Sequence, residues 1–459
     1  MGLDGNPALR ARLDDSGMTN GELARAVVRA AAAEGVHLAT SATSVRRMLQ
    51  GTQPYAPVPR LVAKVLARRL GYEVTVADCG FTPRGDPEDT FNGFRISPTV
   101  DGTIATVAEL SRRDLNRRNF MLGSAFAASA FAEPAWLVTN ARPTPDLARA
   151  GGSRVGKHEV DVLRSTVRHY ESLHRLHGGG LVRGQVVQLL HQQARAMSEV
   201  GYTDAVGREL AGALAETAFL AGLTTIDSGR AALGQRYYAQ ALGLATRAGD
   251  SSFAANVLAE MSRVTIDIGM NAPDADAVEQ GGQHAAALAR SALQMMGGRA
   301  TPAVGAYIHA IEARGLGLLG DGQGAIEALD RARRSFDRGP QNEPGWLGHY
   351  TEVDLTSDIG QCLRDAGRPR QGLVMLERAL AALPANRVTS RAKTQIHIAA
   401  AHLQLRDFDA ADHAIATALN AVDSLSSQRT LERVKALRRR ARQVGAHQVD
   451  ERVTAFLST

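Results

Sequence analysis

The sequence predicts an all-α protein, a small N-terminal helix-turn-helix bundle followed by an α-solenoid of repeated helix pairs. Three observations carry this. Aromatic residues make up 5% of the chain against a hydrophobic share of 44%, so its cores must be built from Ala, Leu and Val, which suits close-packed helices better than sheets. Within the first eighty residues, apolar positions recur at helical spacing between capping signals. In the second half, several segments resemble one another.

The first clear helix start is Thr19-Asn20-Gly21-Glu22, a capping box in which two orphan amides are satisfied reciprocally. Leu23, Val27, Ala30 and Ala31 then follow at helical spacing, and Gly35 closes the helix. After the polar interval "VHLATSA" a second helix starts at Ser41 or Thr43. It puts Val45, Met48 and Leu49 on one face and Thr43, Ser44, Arg46, Arg47 and Gln50 on the other, and Gly51 ends it. The three prolines of "TQPYAPVPR" favour extended chain, and Pro59 suits the first residue of a third helix. There Leu61, Val65 and Leu66 point inward while Arg60, Lys64 and Arg68 line up.

Two consecutive helices, the second short and polar on its outer face, form a helix-turn-helix pattern. Such a helix enters the major groove, where Arg bonds guanine bidentately and Gln bonds adenine. Thr43, Ser44, Arg46, Arg47 and Gln50 are therefore the expected base and near-phosphate contacts, with Arg60 and Lys64 holding the backbone. The pattern alone leaves open a helical bundle whose polar face is merely wet.

Residues 83–150 are expected to link the two parts, because "FTPRGDPEDTFNGFRISPTVDG" and "TNARPTPDLARAGGSRVG" are rich in Pro, Gly and Asp. Between them lies "RRNFMLGSAFAASAFAEPA", Arg117 to Ala135, which has a twin arginine, an apolar run and an A-x-A triplet like an export signal. Its internal position argues against export. An Ala-rich docking or dimerisation helix over 105–138 is the better expectation, with Arg112, Arg113, Arg117 and Arg118 near DNA or on a solvated face.

From 151 to 459 the chain is almost wholly helix-forming. "GQRYYAQAL", "AAALARSAL", "AIEALDRAR", "GLVMLERAL" and "ADHAIATAL" each carry a small residue at positions one and eight, the latter being Ala241, Ala292, Ala332, Ala379 and Ala418. Small residues there let paired helices approach closely. The spacing is longer and less regular than the roughly 34 residues of a tetratricopeptide (TPR) repeat, so the region is TPR-like. Stacked copies make an extended concave surface suited to peptides or partner proteins. "QRTLERVKALRRRARQ" is expected to cap the array as a solvated helix.

Two sets of residues carry a family resemblance. Glu22-Leu23-Ala24-Arg25-Ala26, Ser44-Val45, Leu49-x-Gly51, Pro57-x-Pro59 and Ala77-Asp78-x-Gly80 resemble actinobacterial transcriptional regulators with an Xre (Cro/C1-type) helix-turn-helix head and TPR-like repeats. Asp227-Ser228-Gly229, Gln235-Arg236-Tyr237-Tyr238, Ala248-Gly249-Asp250 and Val257-Leu258-Ala259-x-Met261-Ser262 resemble the repeat region of the same group. The resemblance covers roughly 1–80 and 185–425. It departs from the family in the long first helix and the eight or so residues before the second. It implies a cytoplasmic, homodimeric regulator of double-stranded DNA whose repeats sense a peptide, small-molecule or protein signal. A TPR-type adaptor without DNA binding is the alternative.

Other constellations are weak. Cys79 and Cys362 offer no disulfide framework or zinc site. His169, His174 and His177 lack an obvious carboxylate partner and read as incidental. The glycine-rich stretches follow no strand pattern, and no GxSxG, HExxH or P-loop is present. No enzyme, metal or cofactor is expected. Of the 53 basic residues 49 are Arg, which reflects codon bias before it reflects phosphate binding.

Overall fold

The structure is a computed structural model that describes residues 5–33, 38–54, 57–70, 74, 76–81, 93–94, 96–115, 126–139, 147–150, 155–270, 275–348 and 350–458. The fold is all-α; among the described residues the only sheet-like feature is an isolated bridge between Arg149 and Tyr202. The chain divides into two compact units, Met1–Asn92 and Gly93–Thr459.

The first unit holds α1 (Pro7–Ser16), α2 (Asn20–Ala33), α3 (Ala42–Leu49), α4 (Val58–Leu70) and a tight helical turn at Ala77–Cys79. The capping box forms as its spacing predicts: the Thr19 amide donates to the Glu22 carboxylate at 2.8 Å, and the Glu22 amide donates to the Thr19 hydroxyl at 3.3 Å. Gly35 lies outside the described residues. Ser41, not Thr43, caps α3, and Gly51 follows it at φ 95°. The third predicted helix begins at Val58, so Pro59 is its second residue. Leu23, Val27, Val45, Met48, Leu49, Leu61 and Leu66 fill one core, while Val65 is only partly buried against it.

Helix α1 was not singled out by periodicity, because the core takes only Leu9 and Leu13 from its apolar side chains. Asn6 fixes it. Its Oδ1 accepts from the Leu9 amide at 2.9 Å, its Nδ2 donates to the Cys79 carbonyl at 2.9 Å, and its own amide donates to the Leu49 carbonyl at 2.9 Å. One buried residue thus joins the start of α1, the end of α3 and the final turn. Gly80 is required beside it, since a Cβ at its φ of 64° would sit 2.2 Å from Asn6 Oδ1. Asn6→Ala removes a helix cap and orphans a buried carbonyl, together about 2–3 kcal/mol. The expected result is amide exchange in α1 and α3 of the full-length protein accelerated by roughly two orders of magnitude.

The second unit begins with α5 (Val100–Leu115), α6 (Ala132–Thr139), α7 (Lys157–His177) and α8 (Gly179–Glu199). Six helix pairs follow: α9 (Asp204–Asp227) with α10 (Ala231–Ala248), α11 (Ser251–Gly269) with α12 (Ala275–Met296), α13 (Pro302–Leu319) with α14 (Gly322–Phe336), α15 (Glu352–Asp365) with α16 (Pro369–Ala382), α17 (Val388–Leu405) with α18 (Phe408–Val422), and α19 (Gln428–Val444) with α20 (His447–Ser458). The five similar segments fall on α10, α12, α14, α16 and α18, the second helix of each of the first five pairs. Ala241, Ala292, Ala332 and Ala418 are fully buried and Ala379 nearly so, because any larger side chain would push the paired backbones apart.

The segment expected as one helix over 105–138 is divided. Residues 116–125, including Arg117 and Arg118, lie outside the described residues; Phe126 and Ala127 are not helical, and a helical turn begins at Ala128. Helix α5 packs on α8 and α10 and belongs to the second unit, not to a linker. Its buried Asp114 accepts from Arg183 at 2.5 Å and from the Tyr237 hydroxyl at 2.8 Å. Arg112 and Arg113 are both held by Glu109, at 2.7 and 2.6 Å. In the A-x-A triplet Phe131 is completely buried. Among the described residues one helix, α9, is long and apolar enough to cross a bilayer, and 83% of its apolar window is buried inside the fold.

Candidate nucleic-acid interface and cavity

Helices α3 and α4 carry six basic residues and no acid: Arg46, Arg47, Arg60, Lys64, Arg68 and Arg69. Burial of Val45, Met48 and Leu49 leaves Thr43, Arg46, Arg47 and Gln50 exposed, as helical periodicity requires. The Arg46 and Arg47 guanidinium groups take part in no ion pair or side-chain hydrogen bond among the described residues. Ser44 differs from its four neighbours. Its amide donates to the Ser41 hydroxyl at 3.3 Å and its hydroxyl lies 3.2 Å from that of Ser41, so it serves the cap of α3. Arg60 and Lys64 are exposed on α4. Lys64 lines a cleft between α2 and α4 with Arg25, Arg29, Arg68 and Arg69, where Glu22 is the only acid. The Glu22 carboxyl is held below the usual range by the Thr19 hydrogen bonds and by Arg25 and Arg69.

The second unit closes on itself. The Ser426 amide donates to the His177 carbonyl at 2.8 Å, the Gly180 amide to the Ser426 carbonyl at 2.9 Å, and the Thr389 hydroxyl to the Arg175 carbonyl at 3.1 Å. Gly178, at φ 85°, permits this approach; a Cβ there would lie 2.6 Å from the Ser426 carbonyl oxygen. At the same junction Asp227 accepts from the Gly179 amide and the Ser427 hydroxyl, each at 2.5 Å, and His174 Nε2 lies 3.6 Å away. His174 therefore has a carboxylate partner that its sequence neighbourhood did not supply. These bonds hold the Asp227 carboxyl below its usual range despite its burial.

Closure turns the expected concave surface into a cavity of about 880 Å³, lined by α7, by the first helix of every pair, and by the α14–α15 and α16–α17 loops. Phe219, Phe253, Tyr307, Trp346 and Tyr350 form one part of the wall. The rings are locked by one another and by polar bonds. Centroids lie 5.6 Å apart for Phe219–Phe253 and 5.1 Å for Tyr307–Tyr350. Tyr307 donates to Glu260 at 2.8 Å, Tyr350 to Asp358 at 3.3 Å, and Trp346 to the Ser252 hydroxyl at 3.2 Å.

An ionic network adjoins the rings, with the Arg263 guanidinium 5.7 Å from the Tyr307 ring centroid. Asp267, on α11, receives Arg429 and Arg433 of α19, the latter at 2.7 Å, with Arg314 at 3.9 Å. The C-terminal basic helix, expected as a solvated cap, instead inserts one face of its arginines into the array. Asp267 is mostly withdrawn from solvent, its side chain 13% exposed, and its carboxyl is held well below the carboxylate range by these three guanidinium groups, Arg429 foremost. Arg387 grips Asp354 through two bonds of 2.7 and 3.0 Å. Arg263 lies 3.4 Å from Glu260 and 3.7 Å from Asp358. Lys393, on α17, lines the cavity among them and makes no ion pair within 4 Å among the described residues.

Residues 9–82 match the SP15 N-terminal domain family. No match is found among curated proteins. The matched stretch runs from within α1 to just past the turn at Ala77–Cys79, and so takes in α2, α3 and α4. Among the described residues no group of three or more His, Cys, Asp or Glu side chains could hold a metal ion, and Cys79 and Cys362 are buried free thiols.

The polar face of α3 was legible because one short helix contains it. The cavity was not, since its wall is assembled from helices spread over more than two hundred residues. The one local hint was Trp346, a tryptophan in the polar, proline-bearing stretch "RGPQNEPGWLGHY".

Proposed function

We propose that the protein is a cytoplasmic, homodimeric transcriptional regulator that docks α3 in the major groove of double-stranded DNA and senses a signal through its helix-pair array. The observation that carries this is the acid-free face of α3. Thr43, Arg46, Arg47 and Gln50 stand exposed on a helix whose other side is fully committed to the core. Arg46 and Arg47 supply guanine-reading forks, Gln50 an adenine-reading amide, and Arg60 and Lys64 backbone contacts. No enzymatic step is assigned.

The test is retention of a random duplex pool by the full-length protein at two salt concentrations. Phosphate contacts release counterions, so affinity is expected to fall by orders of magnitude between about 50 and 200 mM salt. Lys64→Ala is expected to weaken binding to all sequences alike and to lower the logarithmic salt slope by about one. Failure of well-folded protein to retain duplex at low salt would favour a protein-binding adaptor instead.

A further inference from the structure

The cavity of the second unit carries more than a signal site in general. Its aromatic wall takes one of the chain's two tryptophans, two of its eight tyrosines and two of its eleven phenylalanines. Because the polar atoms of Tyr307, Trp346 and Tyr350 are already bonded, those rings offer only faces and edges, pre-set before any ligand arrives. The volume is that of a small-molecule pocket, and contacts between α7 and α17 and between the α18–α19 loop and α8 close the groove that an extended peptide would need.

Charge selects among small molecules. Around the ionic part stand Arg263 from α11, Arg314 from α13, Lys393 from α17, and Arg429 and Arg433 from α19. The carboxylates among them are Glu260, Asp267 and Asp358. Asp267 is shared by three arginines, and Asp358 lies beside both Arg263 and Lys393. Over the whole lining, six cations (Arg175 and Arg387 besides Arg263, Lys393, Arg429 and Arg433) face five carboxylates (Glu171, Asp227 and Asp354 besides Glu260 and Asp358). That is a positive excess of one in a partly desolvated site, and Arg314 and Asp267 behind the wall cancel each other. Nature relieves such an excess by proton loss or by an anion.

We infer that the cavity binds a small planar aromatic anion, its acidic group on Lys393 and its ring system against the aromatic wall of Trp346, Tyr307 and Phe253. A carboxylate, sulfonate or phosphate satisfies the same geometry. Burial, followed by Arg263, Arg433 and Arg314 against the opposing pull of Asp358, pushes the Lys393 ammonium down to about 7. Burial, followed by Arg364, Arg314 and Lys393, likewise holds His397, one turn along α17, well below its ordinary value. An arriving anion raises the Lys393 value again. Affinity is therefore flat below pH 7 and weakens as pH rises through 7, where binding must take up a proton.

The assignment rests on reading the array as the sensing part of a DNA-binding protein, but its test needs no DNA. Anilinonaphthalene sulfonate, whose charge is constant, serves as the probe, with uncharged N-phenylnaphthylamine as control. Trp136→Phe removes the exposed tryptophan and leaves Trp346 as sole donor for energy transfer to the bound probe. Expected are one probe per chain, energy transfer from Trp346, and a preference for the sulfonate of about tenfold that fades from about pH 7 to pH 8.5. Lys393→Met should lose both preference and pH dependence; Lys393→Arg should keep the preference and lose only the pH dependence. Equal binding of both probes, a Lys393→Met protein with unchanged pH dependence, or the absence of energy transfer would overturn the inference. A protein that binds the probe as expected yet retains no duplex would remove the regulator reading and leave the cavity's ligand class standing.

Discussion

Replacing Arg46 and Arg47 together by alanine is expected to remove sequence-specific DNA binding while leaving the fold unchanged. Each bidentate base contact is worth about 1–3 kcal/mol, so the pair accounts for roughly a thirtyfold loss or more. Both side chains are exposed and contribute nothing to the core of α1–α4, so stability should move by less than about 0.5 kcal/mol. Binding to a labelled duplex by anisotropy, beside thermal unfolding of the same preparation, separates the two effects. Gln50→Ala should be milder and confined to one position of the site. Ser44→Ala should act through the start of α3, since its hydroxyl serves the Ser41 cap.

The largest expected effect on the stability of the second unit is at Asp267. Asp267→Asn keeps the shape of the side chain but leaves the buried Arg314 and the partly buried Arg429 and Arg433 around a neutral amide. Deleting one partner costs about 3–5 kcal/mol in a fully buried ionic cluster, and about 2–3 kcal/mol is expected for this partly solvated one. Denaturant unfolding of the full chain near pH 7 should show the loss in the second unit. The pH dependence has a definite sign. The Asp267 carboxyl is depressed in the folded state, so its contribution is complete above the ordinary carboxylate range and is lost only as pH falls through the lowered folded value. Wild type and variant should therefore differ by a constant amount across neutral pH and converge in strong acid. Adding Arg429→Gln to Asp267→Asn should recover part of the loss by lowering the uncompensated charge.

These two sites differ in how they could be read from the chain. Everything that defines the face of α3 lies within ten residues: the Ser41 cap, the buried Val45, Met48 and Leu49, and the outward Arg46 and Arg47. A helical period is enough to separate them. The second helices of the repeat pairs were legible for the same reason, because close approach demands Ala or Gly at fixed steps along one helix, as at Ala241 and Ala332. Closure of the array was not. Asp267 meets Arg429 across 162 residues, and Asp227 meets Ser427 across 200; no periodicity within a window joins such pairs. A helix with seven basic residues and one acid in "QRTLERVKALRRRARQ" therefore reads as solvated when viewed alone. Only the packing of α19 against α9 and α17 shows that Arg429 and Arg433, four apart on one face, serve the interior while Arg439 and Arg442 remain outside.

The long connection between α2 and α3 distinguishes this head from a tight helix-turn-helix. Docking of α3 in the groove does not require a short turn, provided the two helices are packed. Leu23, Val27 and Ala31 of α2 and Val45, Met48 and Leu49 of α3 share the same core, which fixes the angle between the helices independently of the connection.

The most direct test of the proposed function is selection of random duplex DNA by the purified full-length protein, run in parallel with the Arg46→Ala, Arg47→Ala double variant. A regulator that reads bases through α3 will enrich one motif, as two half-sites related by symmetry if it acts as a homodimer, and the double variant will lose it. Enrichment of no motif by folded protein, or of the same motif by the double variant, would contradict it.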